Sequence, residues 1–352
     1  MELLVEHLGS VGLVDHHVHG WFTEPGDRAA FEEALNEGAT GPVSSGFDLP
    51  IGVAVRRWCA PLLGLPALTT SDEYWEARSA TPYDELVRTF LTAAGVDHWV
   101  VDTGLTPGLV TDPEPRSEVI RLELLMEQVL GEDDVVGAFR ERLGRAVASG
   151  TVGAKTIAAY RCGLEIDWSR PDDADVAARA RTASTRVVDP VLVAFGAHEA
   201  AALGLPLQVH TGFGDRDLDL SAANPLHLTP LIRTVSSPVL LLHCYPYHRQ
   251  AGYLAQAFEH VFFDVGLAIN HLGARSVQLV AEAMDLAPFG KQLYSSDAYG
   301  LPELHFLGSV LWRRAMGEVI GGWVRRGDWS TDDAIRVVDL IGRDNAARVY
   351  DL

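Results

Sequence analysis

Six side chains able to hold a divalent metal or move a proton stand at the ends of β-type apolar runs in five well-separated segments: His17 and His19, Lys155, His210, His243 and Asp297. In the first segment, Val11 to His19 (VGLVDHHVH), the two-residue period of a strand sends His17 and His19 to one side and His16 to the other. Two imidazoles so placed can reach one ion at the usual distance of about 2.0 to 2.1 Å. His16 then reads as a packed residue or one that supports the ligands from behind. His210 closes LPLQVH and His243 closes VLLLH. Either alone reads as well as a core histidine, but two of them on consecutive strands point to a shared centre. Asp297 follows Leu293 to Ser296, where a carboxylate can ligate, act as general base, or do both in turn; its plain alternative is a turn or cap carboxylate.

Lys155 requires its own argument. Of the 28 lysines and arginines only two are lysines, Lys155 and Lys291. A buried lysine amine can lose its proton and take up carbon dioxide, which gives a carbamate able to bridge two ions; a guanidinium cannot. The alternative is a plain cation that binds a substrate carboxylate or pairs with an acid.

Eight apolar runs can position these groups: Gly12 to His19, His98 to Thr103, Val119 to Glu123, Val152 to Tyr160, Leu205 to His210, Val239 to His243, Val261 to Val265 and Gln292 to Ser296. Helical stretches between them predict an α/β fold, a (β/α)8 TIM barrel, with chemistry at the C-terminal ends of the strands, where the polar residues stand. One domain over 1–352 is expected, with a helical insertion after strand one, about 24–95, placed over the barrel mouth. Within it Gly38 to Pro50 reads as a turn-rich stretch, and Ser71 and Thr81 read as helix N-caps. At the C-terminus Ser330 is expected to cap a helix and Gly342 to break it from a second.

Composition narrows the function. A chain of 352 residues, 47% hydrophobic, can bury a large core. A net charge of −20 repels phosphate backbones and anionic surfaces, so neither nucleic acid nor membrane is expected as a partner. Cys59, Cys162 and Cys244 are too few and scattered for a disulfide framework, and no signal peptide or apolar run long enough to span a membrane is evident, so a cytoplasmic location is expected. A homo-oligomer is left open, because VLWRRAMGEVIGGWV reads equally as core helix or subunit interface.

The ordered set of HxH, lysine, two histidines and aspartate resembles the amidohydrolase superfamily. More narrowly, KTIAAYRCGLEI, HTGFGDRDLDL, NPLHL, LLLHCYPYHRQAGYLA, FFDVG and SSDAYGLPE are similar to the branch that includes the amidohydrolase domain fused to glutamine synthetase in fungal developmental and plant nodulin proteins. The resemblance implies a metal-dependent barrel hydrolase in which γ-glutamyl amides are a plausible substrate class; no synthetase half is present in this sequence. One or two divalent ions are expected, Zn2+ first with Mn2+ and Fe2+ suiting the same donors, together with a carbamate on Lys155 if two are bound. In that reading the metal activates water for attack on a carbonyl. Asp297 shuttles the proton, and His243 polarises the carbonyl or ligates the second ion. Arg161 and Arg216 are candidates to hold a carboxylate on a small-molecule amide substrate, with Tyr160 and Glu303 as weaker candidates. Two alternatives stand beside hydrolysis: a nonhydrolytic decarboxylase or sugar-acid isomerase on the same barrel, and a catalytically silent binding or regulatory protein.

Overall fold

Branched and aromatic residues gather in short runs, each followed by a stretch of helix formers, so successive strands pair in parallel through helical crossovers. The computed structural model describes residues 2–38, 45–105 and 108–352. Its strands are β1 (Leu13–Val18), β2 (Gly20–Phe22), β3 (Val96–Asp102), β4 (Leu109–Val110), β5 (Arg116–Arg121), β6 (Gly153–Thr156), β7 (Leu207–Thr211), β8 (Val239–His243), β9 (Val261–Phe263) and β10 (Tyr299–Gly300). Seven form one parallel sheet in the order β1-β3-β5-β6-β7-β8-β9.

The sheet closes through the segment that follows β9. Leu293 N–H donates to the Phe263 carbonyl (3.0 Å), and His16 N–H donates to the Tyr294 carbonyl (3.1 Å). The eighth position of the TIM barrel is therefore an extended run, tied by a single bridge from Gln292 to Phe263, rather than the laddered strand expected over Gln292 to Ser296. Inside the barrel Val14, Val100, Val119, Leu240, Phe262 and Leu293 meet Ala346 and Tyr350 of the last helix, Asn345–Tyr350. The larger core lies between sheet and outer helices.

Two expected strands end earlier than read. The third ends at Arg121 because LELLME, a run of strong helix formers, winds into the helix Leu122–Glu127. The fourth ends at Thr156, where Ala158–Arg161 makes one helical turn. Helix boundaries also differ. Thr70, not Ser71, caps Ser71–Ala80, through a reciprocal capping box with Glu73. Thr81 ends that helix, and its hydroxyl donates back to the Ala77 carbonyl; Tyr83–Ala94 begins after Pro82 without a side-chain cap. Ser330 accepts from Asp333 N–H as expected. Gly342 breaks nothing: it lies in a π-helical turn, Leu340–Asp344, where a Cβ would stand 3.0 Å from both Leu13 and Trp312.

Between β2 and β3 lie the helices Arg28–Ala34, Pro50–Trp58, Ser71–Ala80 and Tyr83–Ala94; Pro50–Trp58 packs against Gly266–Leu272 and the long helix Pro302–Arg326, and Tyr83–Ala94 packs against the latter. Of the Gly38 to Pro50 stretch, 39–44 lie outside the described residues. The ambiguous VLWRRAMGEVIGGWV is core: Leu311, Trp312, Ala315, Met316, Val319 and Ile320 are buried. Among the described residues no helix is long and apolar enough to cross a membrane.

Candidate metal centre

The site is built where the strands stop. β1 carries an extra residue relative to β3, since Asp15 pairs with Trp99 but Val18 with Val101. This bulge breaks simple alternation. It turns His16 into the barrel interior, where it meets Asp264 and Tyr350, while His17 and His19 face the mouth. β2 and β10 continue from His19 and Asp297 and pair above the centre as a small sheet with β4.

Asp297 is the meeting point. Its Oδ1 lies 3.1 Å from His17 Nε2 and 3.2 Å from His19 Nε2, and its Oδ2 lies 3.7 Å from His243 Nε2. Donor atoms of His17, His19 and Asp297 fall within 4.8 Å of one another. The His243 ring lies 5.6 Å from that of His17 and 4.6 Å from that of His210. Lys155 Nζ is 2.7 Å from His17 Nε2 and 3.3 Å from Asp102 Oδ2. All six residues read from the sequence as metal-site candidates thus converge, contributed by β1, β6, β7, β8 and the closing segment.

The backbone under two of them is unusual. His243 (φ 67°), Cys244 (φ 58°) and Asp297 (φ 50°) are left-handed without being glycine, a conformation that costs of order 1 kcal/mol or more and is found at functional turns. The Asp297 turn is secured by Asp15, which accepts from the Ser296 N–H (3.0 Å) and hydroxyl (2.5 Å). Burial pushes Asp15 up to about 7 against those bonds.

Electrostatics favours ligation. Burial, aided by Lys155, holds His17 well below its ordinary value, and burial with His243 does the same for His210; burial also lowers His243. The three imidazoles are therefore neutral, the form that binds metal. Burial alone would raise Asp297, yet His243 and the hydrogen bonds from His17 and His19 hold it well below the carboxylate range. Burial lowers Lys155 while Asp102 opposes the shift. His17 Nδ1, His210 Nε2 and His243 Nδ1 are buried without a hydrogen-bond partner. Such atoms are costly unless something engages them. A borderline divalent ion fits this nitrogen and oxygen set.

The substrate candidates divide. The Tyr160 ring lies tilted 4.6 Å from the His210 ring, and its hydroxyl oxygen accepts from the Asp215 backbone N–H. Arg216 lies exposed in the loop after β7. Arg161 is committed elsewhere, 2.7 Å from Glu127 and bonded to the Val187 carbonyl. Glu303 is wholly buried against Arg78 (2.6 Å) and Tyr74 (3.3 Å), because Pro302 starts a helix that carries it beneath the insertion. Neither reaches the centre.

The reading of the sequence passed over Asp102, Arg121, Asp264 and Glu37. Asp102 pairs with Arg121 and Lys155. Asp102 ends WVVD and Asp264 ends VFFD, the same signal that marked His243 in VLLLH. Glu37 stands 4.0 Å from His271, and burial together with Asp297 and Asp215 pushes it up to about 8. No local pattern marked it.

The amidohydrolase family model Amidohydro_2 matches residues 131–352. The chain is similar to protein fluG of Emericella nidulans, 29% identical over 301 residues, covering 79% of this chain and 33% of that protein. It thus spans about a third of that relative's length. A crystal structure from Lactobacillus casei ATCC 334, provisionally assigned as a metal-dependent hydrolase, superposes with a TM-score of 0.80 at 25% identity, covering 99% of this chain and 97% of that one. A uronate isomerase from Bacillus halodurans C-125 shares the fold with a TM-score of 0.66 at 14% identity, covering 99% and 96% of the two chains.

Proposed function

Because this chain belongs to the amidohydrolase family, we propose that it is a metal-dependent hydrolase acting on a carbon–nitrogen bond of amide type in a small molecule, working as one barrel unit in the cytoplasm. The observation that carries the reading is the convergence of His17, His19 and Asp297 donors within 4.8 Å, beside unpartnered nitrogens of His210 and His243. Zn2+ is the ion that best suits these donors, and when bound it supplies Lewis acidity and a water with a pKa near about 7. His17, His19 and Asp297 would hold it, with His210 and His243 on the adjoining side.

Asp297 has the position and charge to take a proton at a carboxylate oxygen and return it to a leaving nitrogen, since it is ionised and faces three imidazoles. His243 would orient the substrate carbonyl or complete a second ion site. Tyr160 walls the His210 side, and Arg216 remains the candidate for a substrate carboxylate, as a γ-glutamyl amide would present.

Lys155 admits two readings. As a carbamate, formed when Nζ adds to carbon dioxide and releases a proton, it would bridge two ions. As a cation it would remain with Asp102, and the 3.3 Å separation between them favours this second reading, which brings one ion and keeps a decarboxylase or isomerase in view. Metal content per chain of protein prepared with zinc and bicarbonate, compared with Lys155→Ala, separates them. Two ions falling to one or fewer support the bridge, and one ion unaffected by the substitution supports the cation. Product analysis on γ-glutamyl amides then tests hydrolysis, and turnover absent across amides, esters and acids would instead favour a binding protein.

A further inference from the structure

Asp264, at the end of the strand that follows the His243 strand, is not among the groups that could touch an ion, yet it is bonded to three of the segments that carry them. Its side chain is buried, 1% exposed. Oδ1 accepts from the backbone N–H of His243 (3.1 Å), from Gly266 N–H (2.7 Å) and from the Ser295 hydroxyl (3.0 Å). Oδ2 faces His16 Nε2 at 3.0 Å. His243 is itself a candidate ligand, His16 is the neighbour of His17, and Ser295 lies two residues before Asp297.

The chain of donors behind His16 sets its tautomer. A carboxylate can only accept, so the imidazole proton lies on Nε2 and Nδ1 accepts from the Tyr350 hydroxyl (3.2 Å). That hydroxyl accepts in turn from Gln208 Nε2 (2.7 Å), which also donates to the His16 carbonyl (2.8 Å). Asp264, His16 and Tyr350 all have partners and only Gln208 Oε1 is left without one, so the core of this buried network is held rigid. It runs from the last helix to the left-handed turn at His243, where the N–H would otherwise point into a dry interior.

We propose that Asp264 is a positioning residue: through His16, the His243 N–H and Ser295 it locks three ligand-bearing segments in register, so that the donors of His17, His243 and Asp297 are preset for one centre. The inference rests on the metal-centre reading above. Residues that orient ligands in this way typically contribute about 10- to 100-fold to metal affinity.

The test measures Zn2+ affinity by chelator competition and the visible spectrum of Co2+-loaded protein for wild type, Asp264→Asn, Ser295→Ala and His198→Ala. The last removes a buried bond from His198 to the Trp168 carbonyl (2.8 Å) on the outer helix Pro190–Ala202, and so reports what lost stability alone does. Asp264→Asn is expected to weaken Zn2+ binding about 10- to 100-fold and to alter the Co2+ bands, because the amide offers His16 a donor where it requires an acceptor. Ser295→Ala, which deletes one bond and carries the test if the first variant does not fold, is expected to weaken binding a few-fold. His198→Ala is expected to lower the melting temperature and leave both readouts unchanged. Wild-type affinity and spectrum in Ser295→Ala and in a folded Asp264→Asn would overturn the proposal, as would an equal loss of affinity in His198→Ala. Wild-type protein that takes up neither Zn2+ nor Co2+ would instead refute the metal centre itself, and the proposal with it.

Discussion

Replacing Glu303 by glutamine discriminates between the role its sequence position suggests and the one its surroundings impose. The Arg78 and Glu303 side chains are 1% and 0% exposed, with Nε and Oε1 2.6 Å apart. Arg78 has the Pro25 carbonyl and the face of Phe31 as further neighbours, and neither carries a full negative charge. Neutralising Glu303 leaves a buried guanidinium without its counter-charge, a change that costs about 3 to 5 kcal/mol, toward the lower end here because glutamine still accepts one bond. An unfolding entropy of about 2.1 cal/mol/K per residue gives roughly 0.7 kcal/mol/K for 352 residues, so a loss of about 3 kcal/mol lowers Tm by roughly 4 K. Calorimetry of wild type, Glu303→Gln and the double variant Arg78→Met with Glu303→Leu, all at saturating metal, reads the shift. The double variant should regain most of the loss, since well-packed apolar replacements of a buried pair are often neutral or better. An unchanged Tm with a raised KM in Glu303→Gln would refute this reasoning and return Glu303 to the substrate.

Asp297→Asn should keep metal and lose about 10²- to 10⁴-fold in kcat; unchanged hydrolysis in a metal-loaded variant rejects the proton-shuttle role. A Cβ at Gly214 would lie 2.0 Å from the Tyr160 hydroxyl and 3.1 Å from His210 Nε2, so Gly214→Ala should swing Tyr160 aside and match Tyr160→Phe in its loss of kcat/KM. A clear drop in one variant and none in the other would separate them. Burial pushes His305 down to about 3, with Trp21 and Trp99 packed edge-on around it. Its folded value lies below the ordinary value of about 6.5, so its contribution is whole above that pH and is lost at up to about 1.4 kcal/mol per unit as pH falls toward 3. Denaturant titrations between pH 7 and 4 should show a shallower decline in His305→Phe, and equal slopes would contradict the assignment.

The residues legible in the sequence share one property: each stands at the end of a β-type, largely apolar run, so its place at a strand mouth follows from period and length. His243 after VLLL and His210 after LPLQV needed no tertiary knowledge. The eighth segment was placed correctly although it makes no ladder, because the barrel requires a strip between β9 and β1 and the run LYSSD supplies it. Readings failed where tertiary contacts outweighed local pattern. Arg161 and Glu303 have the chemistry of substrate contacts, but a nearer partner of opposite charge, Glu127 in one case and Arg78 in the other, claims each of them. His16 is the packed, ligand-supporting residue its position suggests, buried against Asp264 and Tyr350, although the bulge in β1 rather than strict alternation turns it there. Asp102 and Asp264 carried the readable signal and were passed over because a carboxylate at a strand end is ordinary in isolation. What distinguishes them is a count of donors around each oxygen, and partners such as Arg121, Ser295 and His16 come together only when the barrel closes. The ligand candidates are thus readable one strand at a time, whereas the groups that aim them belong to the closed sheet, and substitutions at those groups test whether the aim matters as much as the ligands do.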